Sequence, residues 1–96
     1  MKSSILVDGK ELKLNHFIQE LTANLIDGIA KSLKFSEGKR IEFVLKHNEI
    51  EMFVEAQQIP LDLGHASQIV GAVLKGFLSN LHGIESASEV RMVCER

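Results

Sequence analysis

The chain has 96 residues, of which 45% are hydrophobic, and its 11 basic and 13 acidic side chains give a formal net charge of −2. This length is typical of one domain, residues 1–96, and the lack of a basic excess, of Trp and of Tyr argues against nucleic-acid binding. A single cysteine is typical of a reducing compartment, and no apolar run is long enough to span a membrane. We therefore expect a cytoplasmic domain that binds neither nucleic acid nor membrane.

The first part of the chain predicts a short hairpin followed by a long helix. Residues 4–7 form a short apolar run, and Asp8-Gly9 is a strong signal for a tight turn before a returning arm. Asn15 is a good N-cap for a helix over residues 16–34. The apolar residues of this segment recur at helical spacing and predict an amphipathic helix, whose apolar positions are Phe17, Ile18, Leu21, Leu25, Ile26, Ile29 and Leu33.

The second part repeats this order after a central hairpin. Segments 39–46 and 49–55 alternate polar and apolar residues on either side of a two-residue turn. An extended segment over 56–63 leads into a second helix over 65–81, and a strand over 89–95 follows. The predicted buried stripe of the second helix consists of Ile69, Val70, Val73, Leu74, Phe77, Leu78 and Leu81.

The two halves of the chain align as copies of one unit. Residues 4–46 match residues 50–95 at a shift that drifts slowly from 47 to 49 positions, and the drift falls in loops, where insertions are tolerated. The economical fold is an α+β two-layer sandwich built from a duplicated βαβ or ββαβ unit. It would have a ferredoxin-like antiparallel sheet with both helices on one face.

Gly28 and Gly76 lie at matching positions inside the two predicted helices. Glycine in a helix interior costs about 1 kcal/mol relative to alanine, so its presence in both copies needs a reason. We expect the helix backbone to approach a neighbouring element closely at each glycine. The alternative is an exposed glycine that the helix tolerates.

The first half also resembles short uncharacterised bacterial and archaeal proteins. The residues that carry the resemblance are Asp8-Gly9-Lys10-Glu11, Leu14-Asn15, Phe17, Asn24, Gly28 and Ser32-Leu33-Lys34. It covers about residues 5–46, and it is a pattern of turns and core positions without a catalytic motif or an established activity. The resemblance implies that one such unit can pair with itself and that this chain contains two fused copies.

Three of the four histidines are the candidates for a metal site. In the expected fold, the start of the first helix, the central turn and the end of the second helix share one end of the sandwich, which would bring together His16, His47 and His82. Their spacing matches no known ligand motif, so isolated surface histidines are the ordinary interpretation, and no metal or cofactor is predicted. No catalytic residue is predicted either, because the chain has no nucleophile motif and no phosphate-binding loop.

The outward face of the predicted sheet carries the candidate interface, which consists of Leu6, Val44, Phe53 and Val93. These residues alternate with the core residues of their strands, and a contiguous apolar patch on an open sheet usually marks an interface. Two-fold pairing of such a patch is the commonest form of assembly, so the leading hypothesis is a small interaction module that forms a homodimer or docks on a protein partner. The alternative is a regulatory domain that binds a small ligand or a metal ion.

Overall fold

The structure is a computed structural model that describes residues 1–35, 37–61 and 65–96. Within these residues the elements in chain order are β1 (Lys2–Val7), β2 (Lys10–Glu11), α1 (His16–Ser32), β3 (Arg40–Lys46), β4 (Glu49–Val54), β5 (Gln57–Ile59), α2 (Ala66–Leu78) and β6 (Val90–Glu95). Both helices are slightly shorter than predicted. The last two residues of the predicted extended segment 56–63 lie outside the described residues.

The six strands form one open antiparallel sheet in the order β2-β1-β6-β3-β4-β5. The expected α+β class, with an antiparallel sheet and two helices, is confirmed. The order differs from the ferredoxin-like arrangement, in which the strand that opens each βαβ unit is central. Here β3 and β6, which close the units, are central. These strands carry apolar side chains on both faces, and a central position removes the most apolar area from water.

The core lies between the helices and one face of the sheet. Phe43 of β3 and Met92 of β6 are opposite each other in register, and both are fully buried at its centre. Ile26 of α1 and Leu74 of α2 are fully buried against this face. The other buried residues of the core are Ile5, Ala23, Ala30, Ile41, Leu45, Met52, Leu61, Val70, Leu78, Val90 and Cys94.

Helix α1 starts beside the N-terminal end of β1, because the chain first runs back along that strand. The backbone N–H of Leu12 donates to the carbonyl oxygen of Ile5 at 2.8 Å and continues the return that β2 begins. Further along, the hydroxyl of Ser3 donates to the carbonyl oxygen of Gln19 in the first turn of α1. The hairpin therefore moves the helix start to the opposite end of the sheet from the tip of β1.

Replacing Asn15 by alanine is expected to lower the free energy of unfolding by about 1 kcal/mol. The side-chain oxygen of Asn15 accepts a hydrogen bond from the N–H of Ile18 at 2.8 Å, and alanine leaves this donor without its partner at the start of α1. Asn15→Asp keeps the acceptor and is the control. Equal losses for both variants in urea unfolding would contradict the capping role.

The turns that follow β1 and β4 have the same backbone conformation. Asp8 and Gly9 have φ angles of 49° and 84°, and Glu55 and Ala56 have φ angles of 52° and 66°. Positive φ at both central residues is the type I′ turn that two-residue hairpins prefer. The Asp-Gly pair is typical of this turn, but residues with a Cβ rarely adopt it. The sequence therefore predicted the first hairpin from its turn residues, whereas for the second, between β4 and β5, it predicted an extended segment and left open whether that segment adds a strand.

Each of these turns is hydrogen-bonded to the strand that closes the other half of the chain. The carboxylate of Asp8 accepts the N–H of Glu89 at 2.9 Å, just before β6. The carboxylate of Glu55 accepts the N–H of Lys39, just before β3. The backbone repeats the relation, since Asp8 donates to the carbonyl of Glu89 and Glu55 donates to that of Arg40, both at 2.9 Å. The two halves are therefore linked reciprocally.

Candidate interaction site

The outward side of the helices carries four of the five exposed large apolar side chains in the described part of the chain. Phe17 and Ile69 are 67% and 62% exposed, and Val73 and Leu21 are 44% and 38% exposed. The sequence predicted Ile69 and Val73 in the buried stripe of the second helix, and this is wrong, whereas Phe17 and Leu21 belong to the apolar face predicted for the first. The apolar arc of each helix is wider than the strip that contacts the sheet, so its inner positions fill the core and its flank remains in solvent. We call the surface of these four residues the helix face.

A groove between α1 and α2 continues the helix face. Leu25 and Ile29 line it on α1, Leu33 lines it just after α1, and Ile69 and Val73 line it on α2. None of its described lining residues is charged, although Asp, Glu, Lys and Arg make up 25% of the chain. The groove therefore offers apolar area without an ionic preference.

Gly28 and Gly76 lie on the exposed side of the helices and do not make the close contacts that the sequence predicted. No described atom outside the neighbouring helix backbone lies within 4 Å of the position that a Cβ would occupy at either glycine. The prediction of close helix packing is wrong. Each helix therefore carries the conformational cost of glycine without a compensating contact inside the chain.

Gly28→Ala and Gly76→Ala are each expected to raise the free energy of unfolding by about 0.5 to 1 kcal/mol, because alanine restricts the unfolded chain and meets only open space in the folded one. Gly38→Ala is the control. Gly38 has a φ of +100°, and a Cβ there would lie 2.8 Å from Cγ1 of Val54, so alanine should destabilise. Urea unfolding of the three variants measures whether each substitution raises or lowers the free energy of unfolding. A lower value for Gly28→Ala or Gly76→Ala would contradict the finding that a Cβ at that position meets open space.

The four residues predicted as an interface lie together on the opposite face of the sheet. Val44 and Val93 are buried within the chain, whereas Leu6 and Phe53 are half-buried. The strand register places charged residues between them, since Arg91 lies between Leu6 and Val44. The four side chains are therefore not a continuous exposed patch.

An ion-pair network occupies the centre of this sheet face. Glu42, which lies between Phe53 and Val93 in register, has its carboxylate oxygens 3.1 Å from Nη1 of Arg91 and 2.8 Å from Nη2 of Arg40. Near the C-terminal end of β3, Lys46 donates a hydrogen bond to the carboxylate of Glu51, which raises the pKa of that lysine. The surface is mixed in character, and its role as an interface stays a prediction.

The structure does not bring the three candidate metal ligands together. His16 lies beside Lys2, and its Nε2 atom is 3.4 Å from the carboxylate of Glu20. His47 follows the C-terminal end of β3, which runs parallel to β1 because both are antiparallel to β6. His16 and His47 are therefore at opposite ends of the sheet, and His82 follows α2. Among the residues that the structure describes, no group of three or more His, Cys, Asp or Glu side chains could hold a metal ion.

A polar cluster joins Arg96 to α1 and to the loop before β3. Nε of Arg96 lies 2.7 Å from Oδ1 of Asp27, and Nζ of Lys31 lies 2.9 Å from Oδ2. The hydrogen bond from Lys31, together with the charges of Lys31 and Arg96, lowers the pKa of Asp27 below its ordinary value. The guanidinium also donates to the carbonyl oxygens of Phe35 at 3.0 Å and Gly38 at 3.2 Å. Among the described residues, the buried Nε of Arg96 has no hydrogen bond of acceptable geometry, so it meets Asp27 as an ion pair, whereas Nη1 and Nη2 donate to backbone carbonyls. The cluster makes its contacts within the chain and is structural.

Cys94 faces the core, as the sequence predicted. It is fully buried, and burial raises the pKa of its thiol. Its Sγ atom lies 3.7 Å from the carbonyl oxygen of Ala23. A protonated, inaccessible thiol is a packing residue and not a nucleophile.

Comparisons of the chain with protein-family models, with curated proteins and with solved structures gave no match. Neither of the two described helices combines the length and the apolar character that crossing a membrane requires. The function must therefore be inferred from the surfaces themselves.

Proposed function

We propose that this chain is a protein-interaction module that docks through its helix face. The observation that carries the proposal is the exposure of Phe17, Leu21, Ile69 and Val73 on two neighbouring helices. Clusters of exposed apolar side chains are typical of interaction surfaces, because docking removes apolar area from water. A cytoplasmic location and a non-catalytic role remain predictions from the sequence.

The helix face is a better docking surface than the outward sheet face. Val44 and Val93 are only 1% and 2% exposed, so a partner would remove little further apolar area from water there. A partner on the sheet would also have to desolvate the ion pair of Glu42 and Arg91, and the attraction within such a pair does not always offset that cost. The described lining of the groove between the helices imposes no such cost, because it is uncharged.

We also propose that the fold is a duplicated ββαβ unit. The strand order β2-β1-β6-β3-β4-β5 is unchanged when the two halves are exchanged and the sheet is read from its other edge. The reciprocal backbone hydrogen bonds from Asp8 to Glu89 and from Glu55 to Arg40 support the same relation. Under this proposal each unit contributes one helix to the helix face.

Site-specific photo-crosslinking tests which face docks. The full-length chain would carry a photoreactive phenylalanine analogue in place of Ile69 on the helix face, or in place of Phe53 on the sheet face as the matched control. After irradiation in the producing cells, we expect covalent adducts from position 69, with a second copy or with another protein, and none from position 53. The absence of adducts from position 69, with or without adducts from position 53, would contradict the proposal.

A further inference from the structure

We infer that the partner of the helix face is a second copy of this chain, packed helix layer against helix layer. This inference rests on the proposed function and goes beyond it, because it names the partner and the geometry. It differs from the sequence-based expectation of a dimer through the sheet, since the exposed apolar area lies on the helices.

The charge pattern of the helix face favours a copy of itself as the partner. The described residues that line its groove carry no charge, so two copies meet without like-charge repulsion. An acidic or basic partner would instead bury its own charges without a counter-charge, which is costly.

The two helices also present similar residues at equivalent positions. Leu21 of α1 corresponds to Ile69 of α2, and Gly28 corresponds to Gly76, each at a shift of 48 residues. A two-fold interface requires a surface patch that is complementary to itself. When the helix layers of two copies face each other, apolar residues therefore meet apolar residues whichever helices pair.

The area of the helix layer is suited to a stable dimer. At 1.5 Å per residue, the 17 residues of α1 and the 13 residues of α2 form helices of about 25 and 20 Å in a molecule whose largest dimensions are 31 and 28 Å. Two such helices side by side present several hundred Å². A standard interface buries roughly 800 Å² on each partner, so the helix layer supplies an area of the required order.

Sedimentation velocity of the purified full chain tests the inference. We expect a monomer–dimer equilibrium, and we expect Ile69→Lys to raise the dimer dissociation constant at least about tenfold, because a two-fold interface loses the isoleucine twice. Lysine is a good helix former and Ile69 is 62% exposed, so at a concentration where both chains are monomers the melting curve of this variant should match that of the wild type and show that it folds. Phe53→Glu, on the sheet face, is the control and should leave the dissociation constant unchanged.

Two results would overturn the second copy as partner. One is a wild-type chain that stays monomeric at every accessible concentration, and the other is a dimer that Phe53→Glu dissociates and Ile69→Lys does not. Crosslinks from position 69 to other proteins, combined with a monomer in sedimentation, would overturn this inference and leave the proposed function standing. The absence of any crosslink from position 69 would overturn the proposed function itself.

Discussion

Phe43→Ala is expected to reduce the free energy of unfolding by about 3 to 5 kcal/mol. Phe43 is fully buried in the central strand β3, opposite Met52 of β4 and Met92 of β6, which are also fully buried. Strands on both sides hold these neighbours in register, so the cavity left by the ring can close only in part. Domains are stable by about 5 to 15 kcal/mol, and the melting temperature should fall by more than about 12 °C.

Phe53→Ala makes the same chemical change on the other face of the neighbouring strand and is the matched control. Phe53 is half-buried beside Glu42, on the face of the sheet opposite the two described helices, so its loss should cost about 1 kcal/mol. Urea unfolding followed by circular dichroism measures both variants. Similar losses would contradict a core that lies only between the sheet and the helices.

Arg96→Ala is the second large effect, with an expected loss of about 2 to 3 kcal/mol. The side chain of Arg96 is only 15% exposed, and it joins the carboxylate of Asp27 to the carbonyl oxygens of Phe35 and Gly38. Alanine would leave these acceptors without their donor and would release the loop before β3. Arg40→Ala also removes two ion pairs, but from a side chain that is 45% exposed, and should cost less than about 1 kcal/mol. Equal losses for the two variants would contradict this assignment.

The same cluster predicts a pH dependence with a definite sign. Lys31 and then Arg96 hold the pKa of Asp27 below its ordinary value of 3.8, so the folded chain binds a proton there less readily than the unfolded chain. The stabilisation is fully present above the ordinary value and is lost as the pH falls through the lower folded pKa. The difference in unfolding free energy between wild type and Asp27→Asn should therefore shrink below pH 4. If this difference in unfolding free energy stays constant down to the lowest pH measured, protonation of Asp27 does not control the stability of the cluster.

The local structure of this chain could be predicted from its sequence where one residue type has a strong local preference. Asn15 predicted the start of α1, and Asp8-Gly9 predicted the turn of the first hairpin. The second hairpin escaped prediction because Glu55-Ala56 adopts positive φ without glycine, which tertiary hydrogen bonds to Lys39 and Arg40 support. Such bonds join residues far apart in sequence, and no local pattern indicates them.

The candidate site could be predicted less well, because it depends on how much of each helix the sheet covers. Helical spacing placed Ile69 and Leu74 in one stripe, but only Leu74 is buried. The position of His16 likewise depends on the return of the chain along β1, which the element order alone does not fix. Periodicity identifies the apolar arc of a helix, and the packing of the whole fold decides which part of that arc remains in solvent.

The central position of β6 has a consequence for synthesis on the ribosome. Strand β6 lies between β1 and β3, so these two strands are joined in one sheet only when residues 90–95 have been made and pair with both. Before that point the nascent chain can form its helices and the β3–β4 hairpin, but β1 has no neighbour that joins it to them. During this interval the sheet that covers the inner faces of the helices lacks one of its two central strands, and the apolar surface left open is what a chaperone would meet. The native core should therefore be completed in one step, only after β6 has left the exit tunnel.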